Sequence, residues 1–213
     1  MRLTPASPMT LPGPVNQLHP PPGHRHRRGV LIRREAAADA AVIRAVTAAA
    51  FARPGEGEPS EAPLVGWLRA CPAWLPRLSL VAVGPDGAVA GHVVCSRATV
   101  SSVSSAGAAG AAGAVAPVLA LGPLSVRPDQ QGRGVGQALV HAVLGAADAL
   151  GEPLVALLGS TGYYPRFGFR LASEFLITPP DPAWVPHFQV RPLTAYDPAV
   201  RGEFAYPEPF DRL

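Results

Sequence analysis

The tightest constraint on this chain lies in residues 118–150, where an apolar run, Val118 to Val126, passes through a glycine-rich turn into a helix-forming segment from about 134 to 150. So short and apolar a run, bounded by turn residues, reads as a buried strand. The turn reads Arg127-Pro128-Asp129-Gln130-Gln131-Gly132-Arg133-Gly134-Val135-Gly136. Its three glycines clear side chains from the space ahead of the helix. Free backbone N–H groups and the positive end of the helix dipole make that space favourable for an anion, and a diphosphate fits. It is not a Walker A loop, because no Gly-Lys-Ser/Thr follows. It is not the dinucleotide fingerprint either, because the glycine spacing differs and no acidic residue closes a strand about 20 residues on. On this feature alone, a ligand-free strand-to-helix turn remains the competing reading.

The rest of the chain supplies a domain around that unit. Val30–Ile32 predicts a short strand. Residues 36–51, Ala-rich with Val42, Ile43 and Val46 at helical spacing, predict a helix. After a Pro/Gly loop, Ser60 reads as the cap of a second helix with Leu64, Val65 and Leu68 on one face. Leu78–Val83 and Val89–Val100 read as a hairpin around the turn Pro85-Asp86-Gly87. Residues 101–117, rich in Ser, Gly and Ala, read as a flexible loop. Leu154–Leu158 is a further buried strand, 169–177 another, and 187–190 the last. The expected fold class is α/β, a mixed sheet in one layer with helices on both sides.

Charge separates the chain into two parts. Residues 1–29 hold Arg2, Arg25, Arg27 and Arg28 and no acid, with seven prolines in the first 22 positions. Such a segment cannot bury enough surface to offset the entropy of ordering, so residues 1–29 are expected to form a disordered arm and residues 30–213 the domain. The domain holds 14 arginines against 15 acidic residues, which argues against a basic nucleic-acid binder. Residues 106–126 carry no charge, but they are mostly Ala and Gly and contain Pro117 and Pro123. A membrane span is not expected there. Cys71 and Cys95 sit in apolar contexts without metal-ligand spacing and are expected to be buried free thiols. Reduced thiols and no secretory signal point to the cytoplasm, with no metal site.

Two motifs together carry a resemblance. Gln131-Gly132-Arg133-Gly134-Val135-Gly136 is similar to the Gln/Arg-x-x-Gly-x-Gly/Ala signature of the GNAT superfamily of acyl-CoA N-acyltransferases. About 30 residues on, Tyr163-Tyr164-Pro165-Arg166-Phe167-Gly168-Phe169 resembles the superfamily's Tyr-x-x-x-Gly-Phe ending, with Tyr164 at the tyrosine position. The longer Tyr-Tyr-x-Arg-Phe-Gly-Phe form is typical of a bacterial branch of predicted N-acetyltransferases. The similarity extends over about residues 30–213, including Tyr206-Pro-x-Pro-Phe-Asp211. Leu157 and Ser160 stand where many members carry Asn and Ala.

The resemblance implies a central, mostly antiparallel sheet whose fourth and fifth strands splay apart. It implies that acetyl-CoA is the acyl donor, its pyrophosphate held at Gln131, Gly132, Arg133, Gly134, Val135 and Gly136. The strand around Leu124, Ser125 and Val126 would receive the pantetheine arm. An amine would attack the thioester directly, in a ternary complex. Tyr164 would donate a proton to the departing thiolate, since a phenol and a thiol titrate within about two units of each other. A strand N–H, at Val126, would stabilise the oxyanion. Tyr164 has a bland alternative as a packing aromatic beside Phe167 and Phe169, and Tyr163 reads first as packing.

For the base that deprotonates the amine, Glu61, His92, Asp129 and Glu174 are candidates, with a water chain as a further route. His92 lies in an apolar strand and reads first as a structural histidine. Acyl transfer to an amine is the leading function, by a monomer or homodimer. An acyl-CoA-binding sensor with little turnover is the alternative from another class. The sequence does not name the acceptor, whose pocket would be built by the loops at about 52–62 and 101–117.

Overall fold

The computed structural model describes residues 29–102 and 114–213. The strands are β1 (Leu31–Arg34), β2 (Ser79–Val83), β3 (Val89–Ser101), β4 (Val115–Val126), β5 (Leu154–Leu158), β6 (Arg170–Leu171), β7 (Ile177–Thr178), β8 (Phe188–Pro192) and β9 (Gly202–Ala205). The helices are α1 (Ala40–Phe51), α2 (Glu61–Arg69) and α3 (Val135–Ala149). The strands form one mixed sheet in the order β1-β2-β3-β4-β5-β8-β6, with β9 on the outer half of β3 and β7 beside β9. All pairs are antiparallel except β4 with β5 and β7 with β9.

Strand alternation sorts the core onto two faces. Leu80, Val93, Leu119 and Val155 pack against Leu139, Val140 and Val143 of α3. On the other face, Val81 and Val89 meet Ile43 and Val46 of α1 and Val65 of α2, while Val94 meets Leu64 and Leu68. The helices therefore cover both sides of a single sheet layer, as the sequence predicts.

Several elements differ from the sequence reading. β4 begins at Val115, because residues 115–117 pair with Thr99–Ser101 and Ser102 N–H donates to the Ala114 carbonyl at 3.0 Å. The expected loop is therefore shorter at both ends, and residues 103–113 of it lie outside the described residues, as do residues 1–28 of the expected arm. The single strand expected over 169–177 is broken into β6, a 3₁₀ turn at Ala172–Phe175 and β7. Leu176, with φ 55°, takes the left-handed conformation that ends the turn. β9 has no counterpart in the sequence reading. Ser60 occupies the cap position of α2, but its hydroxyl makes no capping bond. Cys95 is buried and Cys71 only partly so. Among the described residues no helix is long and apolar enough to cross a membrane.

Candidate active site

The site begins with a break in sheet pairing. β4 advances three residues, Leu121 to Leu124, while β3 advances two, Val93 to Cys95. One extra residue on β4 is a bulge, and a bulge bends and twists its strand. β4 pairs with β5 only at Leu119–Val155 and Ala120–Ala156, so past the bulge the two strands part. Arg127 N–H donates to the Ala90 carbonyl of β3 at 2.9 Å. By antiparallel alternation, the backbone groups of Leu124 and Val126 then point the other way, into the gap that β5 has left. The Gln131 side-chain amide donates to the Val126 carbonyl at 3.0 Å and ties the turn to the strand end.

The turn takes the shape its glycines permit. Gly132 (φ 70°) and Gly134 (φ 87°) lie in the left-handed region, where a side chain is strained, and Gly134 is the N-cap of α3. The first turn of α3 carries no acidic residue and no side chain caps it, so its N–H groups are open toward the gap. A cleft of about 570 Å³ faces them. Leu124 and Val126 form one wall, and Gln131, Gly132, Gly134, Val135 and Gly136 another. Ala50 and Phe51 at the end of α1, with Tyr163 and Arg166, complete it. Seven of the nine sequence-nominated binding residues thus share one cavity. Ser125 is buried behind the cleft wall with its hydroxyl on that of Thr47, and Arg133 lines separate grooves beside Gly84 and Pro85.

Tyr163 and Tyr164 are set at right angles, ring centroids 5.1 Å apart. Tyr163 reaches the cleft, while Tyr164 lies behind it against Phe169 (5.6 Å) and over the backbone of Gly159 at the end of β5. Burial pushes the Tyr164 phenol up to about 12, so it stays protonated at neutral pH. Among the described residues its hydroxyl has no hydrogen-bond partner. Arg166 holds the pair in place: its Nε–H donates to the Tyr163 carbonyl at 2.9 Å and its guanidinium lies 4.9 Å from the Tyr163 ring centre.

None of the four base candidates lines the cleft. Asp129 is exposed and paired with Arg127, whose hydrogen bonds hold its carboxyl well below the usual range. Glu174 pairs with Arg170 on the surface. Glu61 is half-buried in the first turn of α2. His92 is fully buried on the α1–α2 face.

Around His92 the structure holds polar residues that the sequence reading missed. Glu35, just past β1, accepts from Arg69 at 2.7 Å and from the Ser79 hydroxyl, and lies 3.2 Å from His92 Nε2. Ser79 Oγ lies 2.8 Å from the same nitrogen. Burial alone would push the Glu35 carboxyl up, but hydrogen bonds from His92, Arg69 and Ser79 outweigh it and hold the group at about 2. Beside His92 on β4, the Ser125 and Thr47 hydroxyls share a buried hydrogen bond of 3.1 Å. Among the described residues no cluster of three His, Cys, Asp or Glu could hold a metal.

A sheet parted at β4, with a glycine turn and an open helix start facing the gap, defines the architecture of the acyl-CoA N-acetyltransferases. The chain belongs to the Acetyltransferase (GNAT) family, whose signature matches residues 47–169. It is 35% identical over 133 residues to the uncharacterized N-acetyltransferase YjhQ of Escherichia coli, a match covering 62% of this chain and 65% of that one. The chain therefore spans just under two thirds of that relative's length. A second relative, the uncharacterized N-acetyltransferase YhbS of Escherichia coli, is 32% identical over 64% of this chain and 75% of its own length. The crystal structure of YhbS in complex with CoA superposes with a TM-score of 0.73, covering 92% of this chain and 97% of that one. A GNAT family acetyltransferase from Brucella melitensis, solved with acetyl-CoA, gives a TM-score of 0.64 at 33% identity, covering 87% of this chain and all of that one.

Proposed function

We propose that this chain transfers an acetyl or other short acyl group from acyl-CoA to a primary amine, by direct attack within a ternary complex. The observation that carries the reading is the cleft at the β4 gap, into which the first amides of α3 and the outward backbone of Leu124 and Val126 both open. Two related structures, solved with CoA and with acetyl-CoA, support an acyl-CoA donor.

In this reading the pyrophosphate lies against the N–H groups of Gln131–Gly136, where the helix dipole favours its charge. Arg133 contributes through its backbone. The pantetheine arm runs along Leu124 and Val126 and completes the edge that β5 leaves open. Val126 N–H receives the developing oxyanion. Tyr164 gives its proton to the sulfur as the C–S bond breaks; its raised pKa keeps the proton available. Residues 30–213 form the catalytic domain, and residues 1–29 are an arm it does not need. A thiol-release assay with acetyl-CoA over a panel of amines, peptides and aminoglycosides tests the reading. Acetyl-CoA binding with no turnover on any amine would favour a binding module, in keeping with a cleft that no carboxylate or histidine among the base candidates lines.

A further inference from the structure

Hydrogen-bond accounting fixes the state of His92. The Ser79 hydroxyl has one proton and gives it to Glu35. Its oxygen can then meet His92 Nε2, 2.8 Å away, only as an acceptor, so Nε2 carries the ring proton. Desolvation keeps the ring from taking a second proton in the resting enzyme. His92 is thus a neutral imidazole with a bare lone pair on Nδ1. That atom is completely buried and has no partner among the described residues. Buried polar atoms without partners are rare and call for an explanation.

His92 lies one strand behind the β4 wall of the reaction cleft. Arg33, Val81, His92 and Ser125 form one row across β1, β2, β3 and β4. Directly opposed residues have Cβ atoms about 4.5–5.5 Å apart, so Ser125 carries the β4 hydroxyl set across from the His92 ring. Ser125 lies between Leu124 and Val126, which line the cleft. Its partner Thr47 lies one turn before Ala50 and Phe51, which line it too. The hydroxyl pair therefore separates His92 on β3 from the open side of β4.

We propose that His92 is the proton acceptor of the transfer reaction, reached from the cleft through the Ser125 and Thr47 hydroxyls, with Glu35 and Ser79 as positioning residues that fix its tautomer. The proposal rests on the acyl-transfer reading above. The substrate ammonium loses one proton to the hydroxyl pair, which releases one of its own to Nδ1. The hydroxyls end unchanged, and His92 ends as an imidazolium beside the Glu35 carboxylate. The freed nitrogen lone pair forms the C–N bond and the C–S bond breaks. The sulfur takes the Tyr164 proton, which the second proton of the nitrogen replaces, and His92 returns its proton to solvent. The other charged groups around His92 are Arg69 at the end of α2, which opposes the imidazolium, and Asp39 before α1, which favours it and is itself held by Arg33. From α1 and β4 come the hydroxyls of Thr47 and Ser125.

The test is the pH profile of kcat at saturating acetyl-CoA, with an amine that the wild type accepts. His92→Gln keeps a donor near Ser79 but cannot take a proton. It should lower kcat at pH 7 at least about tenfold. The wild-type plateau should become a rise of about tenfold per pH unit, and the acetyl-CoA Kd should not change. Ser125→Ala leaves His92 in place and should give the same loss, which decides the matter if His92→Gln fails to fold. Glu35→Gln should move the wild-type limb to lower pH, because the imidazolium loses its counter-charge. A His92→Gln enzyme with wild-type kcat, or one with lower kcat but an unchanged profile, overturns the proposal while leaving acyl transfer intact. A wild type that turns over no amine overturns both.

Discussion

The Cδ2–Cε2 edge of the Tyr164 ring lies against Gly159: a Cβ built on that glycine would stand 2.5 Å from Tyr164 Cε2. No real side chain tolerates that approach, so a glycine at the end of β5 is the condition for Tyr164 to sit where it does. Gly159→Ala should displace the ring and leave the turn at Gly132–Gly136 untouched. We expect kcat to fall while acetyl-CoA affinity by calorimetry stays within about twofold of wild type. Unchanged kcat would show that the position of Tyr164 does not matter to the reaction.

The sequence reading nominates Tyr164 as the general acid, and removing its hydroxyl alone is the direct test. Tyr164→Phe keeps the ring and its packing against Phe169. General acid catalysis is worth about 10²–10⁴-fold, and a thiolate leaves fairly well unaided, so a fall in kcat of at least about tenfold is expected. KM for acetyl-CoA should barely move, because the interaction forms in the transition state. Tyr163→Phe should show the opposite split. Its hydroxyl reaches the cleft beside Gly136, and losing one hydrogen bond there should weaken cofactor binding about 2–10-fold with kcat preserved. Equal kcat for wild type and Tyr164→Phe would remove the acid assignment.

Much of this site was legible in the sequence because it is local. Strand, glycine turn and helix are contiguous from Val118 to Ala149, and glycines at every second position, 132, 134 and 136, need no tertiary information to read. Leu124, Val126 and the turn residues accordingly fall in one cleft. The failures are non-local. Glu35 follows β1, Ser79 opens β2 and His92 lies in β3, and only the antiparallel register of β2 with its neighbours brings them together. The short β9 earns its strand geometry by pairing with Thr99–Ser101, which no propensity of Gly202–Ala205 encodes. Phe51 and Arg166 enter the site through the packing of α1 and the 3₁₀ turn at Tyr164–Phe167, again a tertiary outcome.

Gly134 tests the anion site. Its left-handed φ of 87° strains any ordinary side chain, although the space around it is open, and it stands at the start of α3. Gly134→Asp adds backbone strain and a negative charge where a diphosphate is proposed to lie. Acetyl-CoA binding should drop below detection by calorimetry, with the circular dichroism spectrum retained. Unchanged affinity in a folded variant would show that the diphosphate lies elsewhere.

A truncation beginning at Val30 should keep its melting temperature within about 5 °C of the full chain, since a shift of that size corresponds to about 1–2 kcal/mol in a domain this large. Acetyl-CoA affinity should also be preserved. A larger loss would mean that residues 1–29 dock on the domain.

Acid should unfold the protein in two steps, each from a group near His92. The buried imidazole is neutral, and its folded pKa is below the ordinary value of about 6.5, chiefly through desolvation. Between those two values the unfolded chain binds the extra proton and the folded chain does not, so stability falls as pH drops below about 6.5. Glu35 and Asp39 act lower down. Burial opposes ionisation of Glu35, but hydrogen bonds from His92, Arg69 and Ser79 hold it at about 2, and the Arg33 guanidinium holds Asp39 at about 2. Their contribution is complete above the unfolded values near 4 and is lost as pH falls toward about 2. Urea unfolding at pH 7.5, 5.5, 4 and 2.5 should therefore show one loss above pH 4 and a second below it. His92→Gln should abolish the first step, since its amide does not titrate, and Glu35→Gln should shrink the second. A His92→Gln variant that still loses stability between pH 7.5 and 5.5 as the wild type does would show that the buried imidazole is not the group responsible.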